Sequence, residues 1–300
     1  MYGFPLKEDS LQLLLMKDMN MSRTELEILA GEGEKFPRVL VDNCLRNFRE
    51  DGLLDGDELT ADGRKILESY KVKRAVFIAA GIGERLLPIT LNTPKPLVRV
   101  HGKRIIDGLI DACLAAEIDE IYIVRGYLAE QFDLLLKKYP TLRFIDNPLF
   151  NETNNISSAV LAAKFFGRAY VLEGDLLIHN PALIRKYEFA PNFLGIQMSR
   201  SDDWCFDVQD GVIVSQKIGG LDCWQEVGIS YWDEQSAAQL SHDLPTAFEL
   251  PGGRERYWDQ VPLNIFAQNY RVEIRPCTAA DIVEIDTFNE LKAIDRAYDI

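Results

Sequence analysis

The chain predicts an α/β protein. Residues 73–300 read as a doubly wound, mostly parallel sheet, and residues 1–70 as a small α+β domain in front of it. Two observations carry this. Apolar runs of strand length at residues 74–80, 120–124 and 169–173 alternate with stretches of helical periodicity. The first of these runs ends in glycines, as a strand feeding a ligand-binding turn does. A length of 300 residues suits one large domain or two of ordinary size, and is long enough to bury a substantial core.

The elements follow in order. Leu11, Leu13, Leu14, Leu15 and Met16 make a short apolar helix. Ser22 and Glu25, three apart, form a capping box that starts a second. Pro37 opens a third, with Val39, Leu40, Cys44, Leu45 and Phe48 on one face. Residues 52–54 and 59–60 have the spacing of a two-stranded wing, and residues 61–70 close as a helix. Helices, hairpin and helix together make a winged-helix pattern, which resembles bacterial DNA-binding regulators. The charge points elsewhere. Residues 1–70 hold nine basic side chains against fifteen acidic ones, a balance of −6, where a DNA-reading domain shows a basic face. DNA binding by residues 1–70 is therefore disfavoured, and a docking or dimerisation module is expected.

From Lys73 onward, residues 74–80 form a buried strand and residues 103–116 a helix. Residues 120–124 are a strand, 128–138 helical, 142–145 a strand, 156–166 helical and 169–173 a strand. Beyond about residue 194 the pattern is strand-rich, with a hairpin signal at Gln209-Asp210-Gly211. Two helices and a last strand at residues 281–285 complete the chain.

Composition narrows the function classes. The formal charge is −14, from 33 Lys and Arg against 47 Asp and Glu. Such a surface repels polyanions, so nucleic acid and anionic membranes are poor partners, while a small anion needs only a local basic pocket. No apolar run approaches the roughly 20 residues of a membrane span. The first residues lack a basic stretch followed by an apolar one, so no signal peptide is expected. Five scattered cysteines, without a Cys-x-x-Cys pair, read as reduced structural thiols and a cytoplasmic location. His101, His179 and His242 lack metal-ligand spacing, and His101 before Gly102 reads as a turn residue.

The chemistry starts where the first strand ends, at Ala79-Ala80-Gly81-Ile82-Gly83-Glu84-Arg85. Glycines there let backbone N–H groups approach phosphate oxygens. A dinucleotide fingerprint needs a third glycine where Leu86 stands, and a P-loop needs Gly-Lys-Ser/Thr, which is absent. The following residues, Pro88-Ile89-Thr90 and then Pro94-Lys95-Pro96, complete a string that resembles the nucleotidyltransferases that condense an NTP with a phosphate. The resemblance implies that Arg85 and Lys95 grip the triphosphate beside Ala80, Gly81 and Gly83. The chemistry agrees: Arg is a planar fork for phosphate oxygens, Lys a mobile point charge, and flanking prolines stiffen the backbone that aims it.

Carboxylates come next. Asp175, in Glu173-Gly174-Asp175, lies just past a strand, where ligands of open parallel sheets bind. Asp286 lies past the last strand. Each can present a carboxylate to a hard cation, and the resemblance assigns both to Mg²⁺. Asp286 before Thr287 also reads as an N-cap of the last helix. Glu284 reads as outward-facing. Asn154, Asn155, Ser157 and Ser158 at a helix start suit either a nucleotide contact or plain capping. The resemblance favours the nucleotide for Asn154 and Ser157, and adds Tyr127.

The second half narrows the family. Asp203-Trp204, Gly228 to Asp233 and Arg256-Tyr257-Trp258-Asp259, with Gly126-Tyr127 and Asn154-Asn155, resemble in order and spacing the bacterial CTP:phosphocholine cytidylyltransferases. The likeness covers residues 73–298. A quaternary ammonium has no N–H to donate and is held by aromatic faces with nearby carboxylates. Trp204, Tyr257 and Trp258, with Asp207 and Asp259, are the expected acceptor cage, while Trp232 reads as core.

The resemblance thus implies CTP plus phosphocholine giving CDP-choline plus pyrophosphate, for decorating cell-surface polysaccharide, with Lys95, Arg85 and Asp175 as the catalytic set. The rivals are 2-aminoethylphosphonate or a sugar 1-phosphate as acceptor. A rival of another class is a DNA-binding regulator with a ligand-sensing transferase fold. The expected partners are CTP and a small zwitterionic phosphate, and the reading is compatible with a homo-oligomer.

Overall fold

A computed structural model describes residues 38–299, with side chains from residue 42 onward. The helices expected at residues 11–16 and after Ser22 lie outside the described residues. The chain forms two compact units, Met1–Lys71 with Tyr187–Phe189, and Val72–Lys186 with Ala190–Ile300.

In the first unit, α1 (Arg38–Glu50) buries Cys44, Leu45 and Phe48, spaced as one helical face. Strands β1 (Leu54–Asp55) and β2 (Glu58–Leu59) pair antiparallel. Helix α2 (Ala61–Glu68) starts at Thr60, whose hydroxyl accepts from the Gly63 N–H. The hairpin and closing helix fall where the sequence expects them.

The second unit is built on one large sheet and also holds a short antiparallel hairpin of β4 (Arg99–Val100) and β5 (Lys103–Arg104). Strand β3 (Arg74–Ile78) lies between β6 (Glu120–Arg125) and β8 (Ala169–Glu173), parallel to both, and β7 (Arg143–Asp146) extends the parallel part beyond β6. Beyond β8 the sheet turns antiparallel. There β11 (Val212–Trp232) pairs with β8 and with β10 (Asn192–Gln209), and β12 (Glu273–Cys277) runs parallel to β10. Asp210 and Gly211 join β10 to β11 with φ of 51° and 77°, the left-handed pair a tight hairpin needs.

Alternate residues of β3 feed opposite layers, as a sheet buried on both faces requires. Ala75 and Phe77 join one core with Ile106, Leu109 and Ile110 of α3 (Ile105–Ala115). Val76 and Ile78 join the other with Ile156 of α4 (Ile156–Ala162) and with Leu240 and Leu244 of α5 (Glu234–Glu249). Trp232 is fully buried, as expected, and all five cysteines are buried and none forms a disulfide among the described residues. Among the described residues no helix is long and apolar enough to cross a membrane.

Residues 129–137 are helical as expected, in 3₁₀ form. The last strand, β13 (Ile282–Glu284), does not join the main sheet. It pairs antiparallel with β9 (Leu176–Ile178), the short strand just after Asp175. Only three residues long, it brings Asp286 toward Asp175 by its register on β9.

Candidate active site

A cleft of about 730 Å³ opens at the carboxyl ends of β3 and β8. Strand order reverses around β3, since the chain passes from β3 to β6 and β7 on one side and returns to β8 on the other. This is the position where open α/β sheets bind ligands.

The glycine loop forms one end of the cleft, lined by Ala80, Gly81, Gly83 and Arg85. Gly83 has φ of +69°, and a Cβ there would stand 3.0 Å from Lys95 Cβ, so both backbone and space demand glycine. The buried Thr90 hydroxyl donates to the Gly83 carbonyl at 2.9 Å and holds the loop. Lys95 starts a short 3₁₀ turn, Lys95–Leu97. Pro96 packs against Gly174, where a Cβ would approach its Cγ to 2.8 Å. The two prolines and Gly174 thereby aim Lys95 into the cleft.

Lys95 is 8% exposed. Its Nζ lies 2.7 Å from Asp175 Oδ2 and 2.8 Å from Asp286 Oδ1. Burial alone would lower its pKa, but the two carboxylates outweigh that and the net shift is upward, so the ammonium stays charged. Arg85, mostly exposed, bonds the other Asp286 oxygen at 2.6 Å. Asp286 therefore anchors both cations. It is not the cap of the last helix, α6 (Phe288–Ile294). Thr287 caps it in a full capping box with Glu290.

Sequence reasoning missed two carboxylates. Glu173 and Glu284 line the cleft with Asp175, and carboxylate oxygens of the three lie within 4.8 Å of one another. Glu284 is thus inward-facing, contrary to expectation, because it sits opposite Leu176 in the β9–β13 ladder. Burial and then the charge of Asp175 raise Glu173 to about 8 and Glu284 to about 10. Asp175 Oδ1 is buried without a hydrogen-bond partner. An all-oxygen set with an orphaned oxygen fits a hard divalent cation such as Mg²⁺. Asp286, expected as a second ligand, stands outside this trio with both oxygens on the two cations. Gly228 makes room for Glu173, since a Cβ there would meet its Oε2 at 2.6 Å.

Trp204 and Tyr257 also line the cleft, with rings 5.7 Å apart and edge to face at 69°. Asp203, Glu226, Glu255 and Asp259 line it too. Two expected cage residues are elsewhere. Trp258 is 4% exposed and packs in the core against Phe166, Phe193 and Trp232, while its neighbour Tyr257 is 38% exposed. Asp207 is tied to Lys217 at 2.7 Å and to the Ser215 hydroxyl at 2.7 Å, away from the cleft.

Asn154 lines the cleft, while Ser157 does not. The Ser157 hydroxyl is buried among Asn147, Thr153 and Asn154, and its neighbour Ser158 faces the opening instead. The plain-capping reading does not hold for Asn155, which lines the cleft and whose side chain accepts from the Trp258 N–H at 2.8 Å. Together with Asn154, which donates to the Glu255 carbonyl, it ties the start of α4 to the strip bearing Tyr257 and Asp259. Tyr127 also misses the cleft. Its hydroxyl donates to the carbonyls of Thr90 and Leu91 and its N–H to Ala80, which braces the glycine loop from behind.

Known proteins share this fold. The nucleotidyl transferase family profile matches residues 74–190. A 2-aminoethylphosphonate cytidylyltransferase from Lancefieldella rimae is 35% identical over 228 residues, covering 75% of this chain and 92% of the relative. A choline-phosphate cytidylyltransferase from Haemophilus influenzae is 30% identical, over 72% of this chain and 93% of the relative. Among solved structures, the CTP:phosphocholine cytidylyltransferase from Streptococcus pneumoniae superposes with a TM-score of 0.69 at 26% identity, over 76% of this chain and 99% of that one.

Proposed function

The chain belongs to the nucleotidyl transferase family, with cytidylyltransferases among its relatives, and from that premise we propose that it transfers CMP from CTP to a small phosphate or phosphonate carrying a cationic nitrogen, with release of pyrophosphate. Phosphocholine and 2-aminoethylphosphonate both fit this description. The observation that carries the reading is the make-up of one cleft. Phosphate-binding groups, Lys95, Arg85 and the glycine-loop amides, share it with an aromatic pair among carboxylates.

An acceptor phosphate or phosphonate oxygen attacks the α-phosphorus of CTP. The new O–P bond forms as the bond to the bridging oxygen breaks, and that oxygen leaves with the pyrophosphate. The acceptor oxygen is already anionic near neutral pH, so no covalent enzyme intermediate and no general base are needed. The protein's part is positioning and charge neutralisation. Lys95, freed from Asp175 and Asp286 by the incoming phosphates, and Arg85 stabilise the charge gathering on the leaving group. Amides of Gly81 to Gly83 cradle the same oxygens. Asp286 keeps the two cations aligned. Mg²⁺ held by Glu173, Asp175 and Glu284 would supply neutralisation of the α-phosphate. Asn154 and Ser158 are positioned to contact the nucleoside. Trp204, Tyr257 and Asp259 receive the cationic end of the acceptor.

A sugar 1-phosphate is the weaker reading, because the acceptor end offers aromatic rings and carboxylates where hydroxyl recognition wants mixed polar groups. A regulator with a sensing fold is weaker still, since it has no use for a buried, charged Lys95 between two carboxylates. Pyrophosphate release tests this directly, with CTP, UTP, dTTP and GTP each against 2-aminoethylphosphonate, phosphocholine and glucose 1-phosphate. Turnover confined to CTP with the nitrogenous acceptors is expected. Preference for glucose 1-phosphate, or for another nucleotide, overturns the assignment.

A further inference from the structure

The geometry points to Glu226 and Asp259, held by Gln216, as the group that selects a primary ammonium over a quaternary one in the acceptor, an inference that rests on the cytidylyltransferase reading above. Gln216 lies on β11 with its amide fixed from both sides. Asn264 Nδ2 donates to Gln216 Oε1 at 3.3 Å, and Asn264 Oδ1 accepts from the Gln216 N–H at 3.3 Å. With its oxygen so used, the amide turns Nε2 to the carboxylates, donating to Glu226 Oε2 at 2.7 Å and to Asp259 Oδ2. Gln216 is 5% exposed and Asp259 7% exposed. Both carboxylates nevertheless line the cleft, as Trp204 and Tyr257 do.

Asp259 also accepts from the backbone N–H groups of Asp259 and Gln260 and shares a hydrogen bond with Glu226, yet a carboxylate offers about four lone-pair sites, so acceptor capacity remains on the pair. Buried carboxylates in that state call for a donor that also carries positive charge. A primary ammonium supplies three N–H groups and the charge together. A trimethylated nitrogen supplies charge alone, and its methyls would stand against carboxylates whose hydrogen bonds stay unmade. The aromatic side of the site favours the same choice. Among the described residues the aromatic side chains lining this cleft are Trp204, Tyr257 and Phe150, and the first two meet edge to face. Two rings so arranged form a wall beside the nitrogen, whereas a quaternary ammonium is best held by aromatic faces around it. A site built to hydrogen-bond a substrate N–H rejects the analogue that lacks it far more strongly than an apolar pocket rejects an added methyl.

The test is a methylation series at constant phosphonate. The full-length protein with saturating CTP and Mg²⁺ is assayed for pyrophosphate release with 2-aminoethylphosphonate and its N-methyl, N,N-dimethyl and N,N,N-trimethyl derivatives. Expected is a fall in kcat/KM with each methyl, by at least about 100-fold across the series. Glu226→Gln should compress that range at least about tenfold and move the acceptor KM more than the CTP KM. Asp259→Asn should act in the same sense, which guards against a fold defect peculiar to one variant. Turnover with equal or rising kcat/KM toward the trimethyl compound overturns the selector and leaves the transferase reading standing. No pyrophosphate with any of the four, in a protein that keeps its thermal transition, overturns both.

Discussion

Lys95 shows how far a short motif reaches. Its flanking prolines and the glycine loop before it were legible because they are local, and so was Asp175 at the end of a recognisable strand. Glu284 was not, because its direction depends on a ladder to Leu176, over a hundred residues away in sequence. Trp258 and Tyr257 were indistinguishable by composition, since a tryptophan is as much core material as cage material, and only packing against Phe193 and Trp232 separates them. Lys95→Ala should cut kcat at least about 100-fold with a near-normal far-UV spectrum, as removal of one buried charge-stabilising donor does. Asp175→Asn should lose turnover comparably. The acidic trio makes a pH prediction. Glu173 and Glu284 have raised folded-state values, so they contribute stability below about 4.5 that is lost as pH rises through about 8 and about 10. A divalent cation competes with those protons, so its stabilising effect grows with pH. Thermal shift with Mg²⁺ should be larger at pH 8.5 than at pH 6.5, and Glu284→Gln should shrink the difference.

Among the elements, the strands of the parallel half were legible because strands buried on both faces read as unbroken apolar runs. The small β9–β13 ladder was not, because three-residue strands carry no periodicity and their pairing is a long-range event. Two elements make testable claims. The glycine loop requires Gly83, so Gly83→Ala, strained at φ +69° and crowded by Lys95, should lower stability by about 1 kcal/mol and turnover by more than that implies. Helix α5 carries Asp243, 2% exposed, which accepts from Gln239 at 3.0 Å, Asn269 at 2.9 Å and Tyr270 at 2.8 Å. Burial pushes its carboxyl up, but these hydrogen bonds and that of His242 prevail and hold it below the ordinary value. Its contribution is therefore present above about pH 4 and lost as pH falls through the lower folded value. Asp243→Ala should cost about 2–3 kcal/mol in urea unfolding at pH 7 by stranding buried donors, and less at pH 3.

On the scale of the whole molecule, a net charge of −14 coexists with a cleft proposed to bind a triphosphate. The cleft reconciles them by pairing its two cations with Asp286 and Asp175 until a ligand arrives, and by using its other carboxylates to attract cations rather than anions. The first unit keeps the acidic balance of −6 over residues 1–70, so electrophoretic retardation of duplex DNA at low salt should show no shift at micromolar protein. The central claim is the transfer itself, and ³¹P NMR of the protein with CTP, Mg²⁺ and 2-aminoethylphosphonate tests it most directly. The account predicts equal amounts of pyrophosphate and of a mixed anhydride joining CMP to the phosphonate. Hydrolysis of CTP to nucleotide and phosphate, with the phosphonate resonance unchanged and no transfer to phosphocholine either, would contradict it.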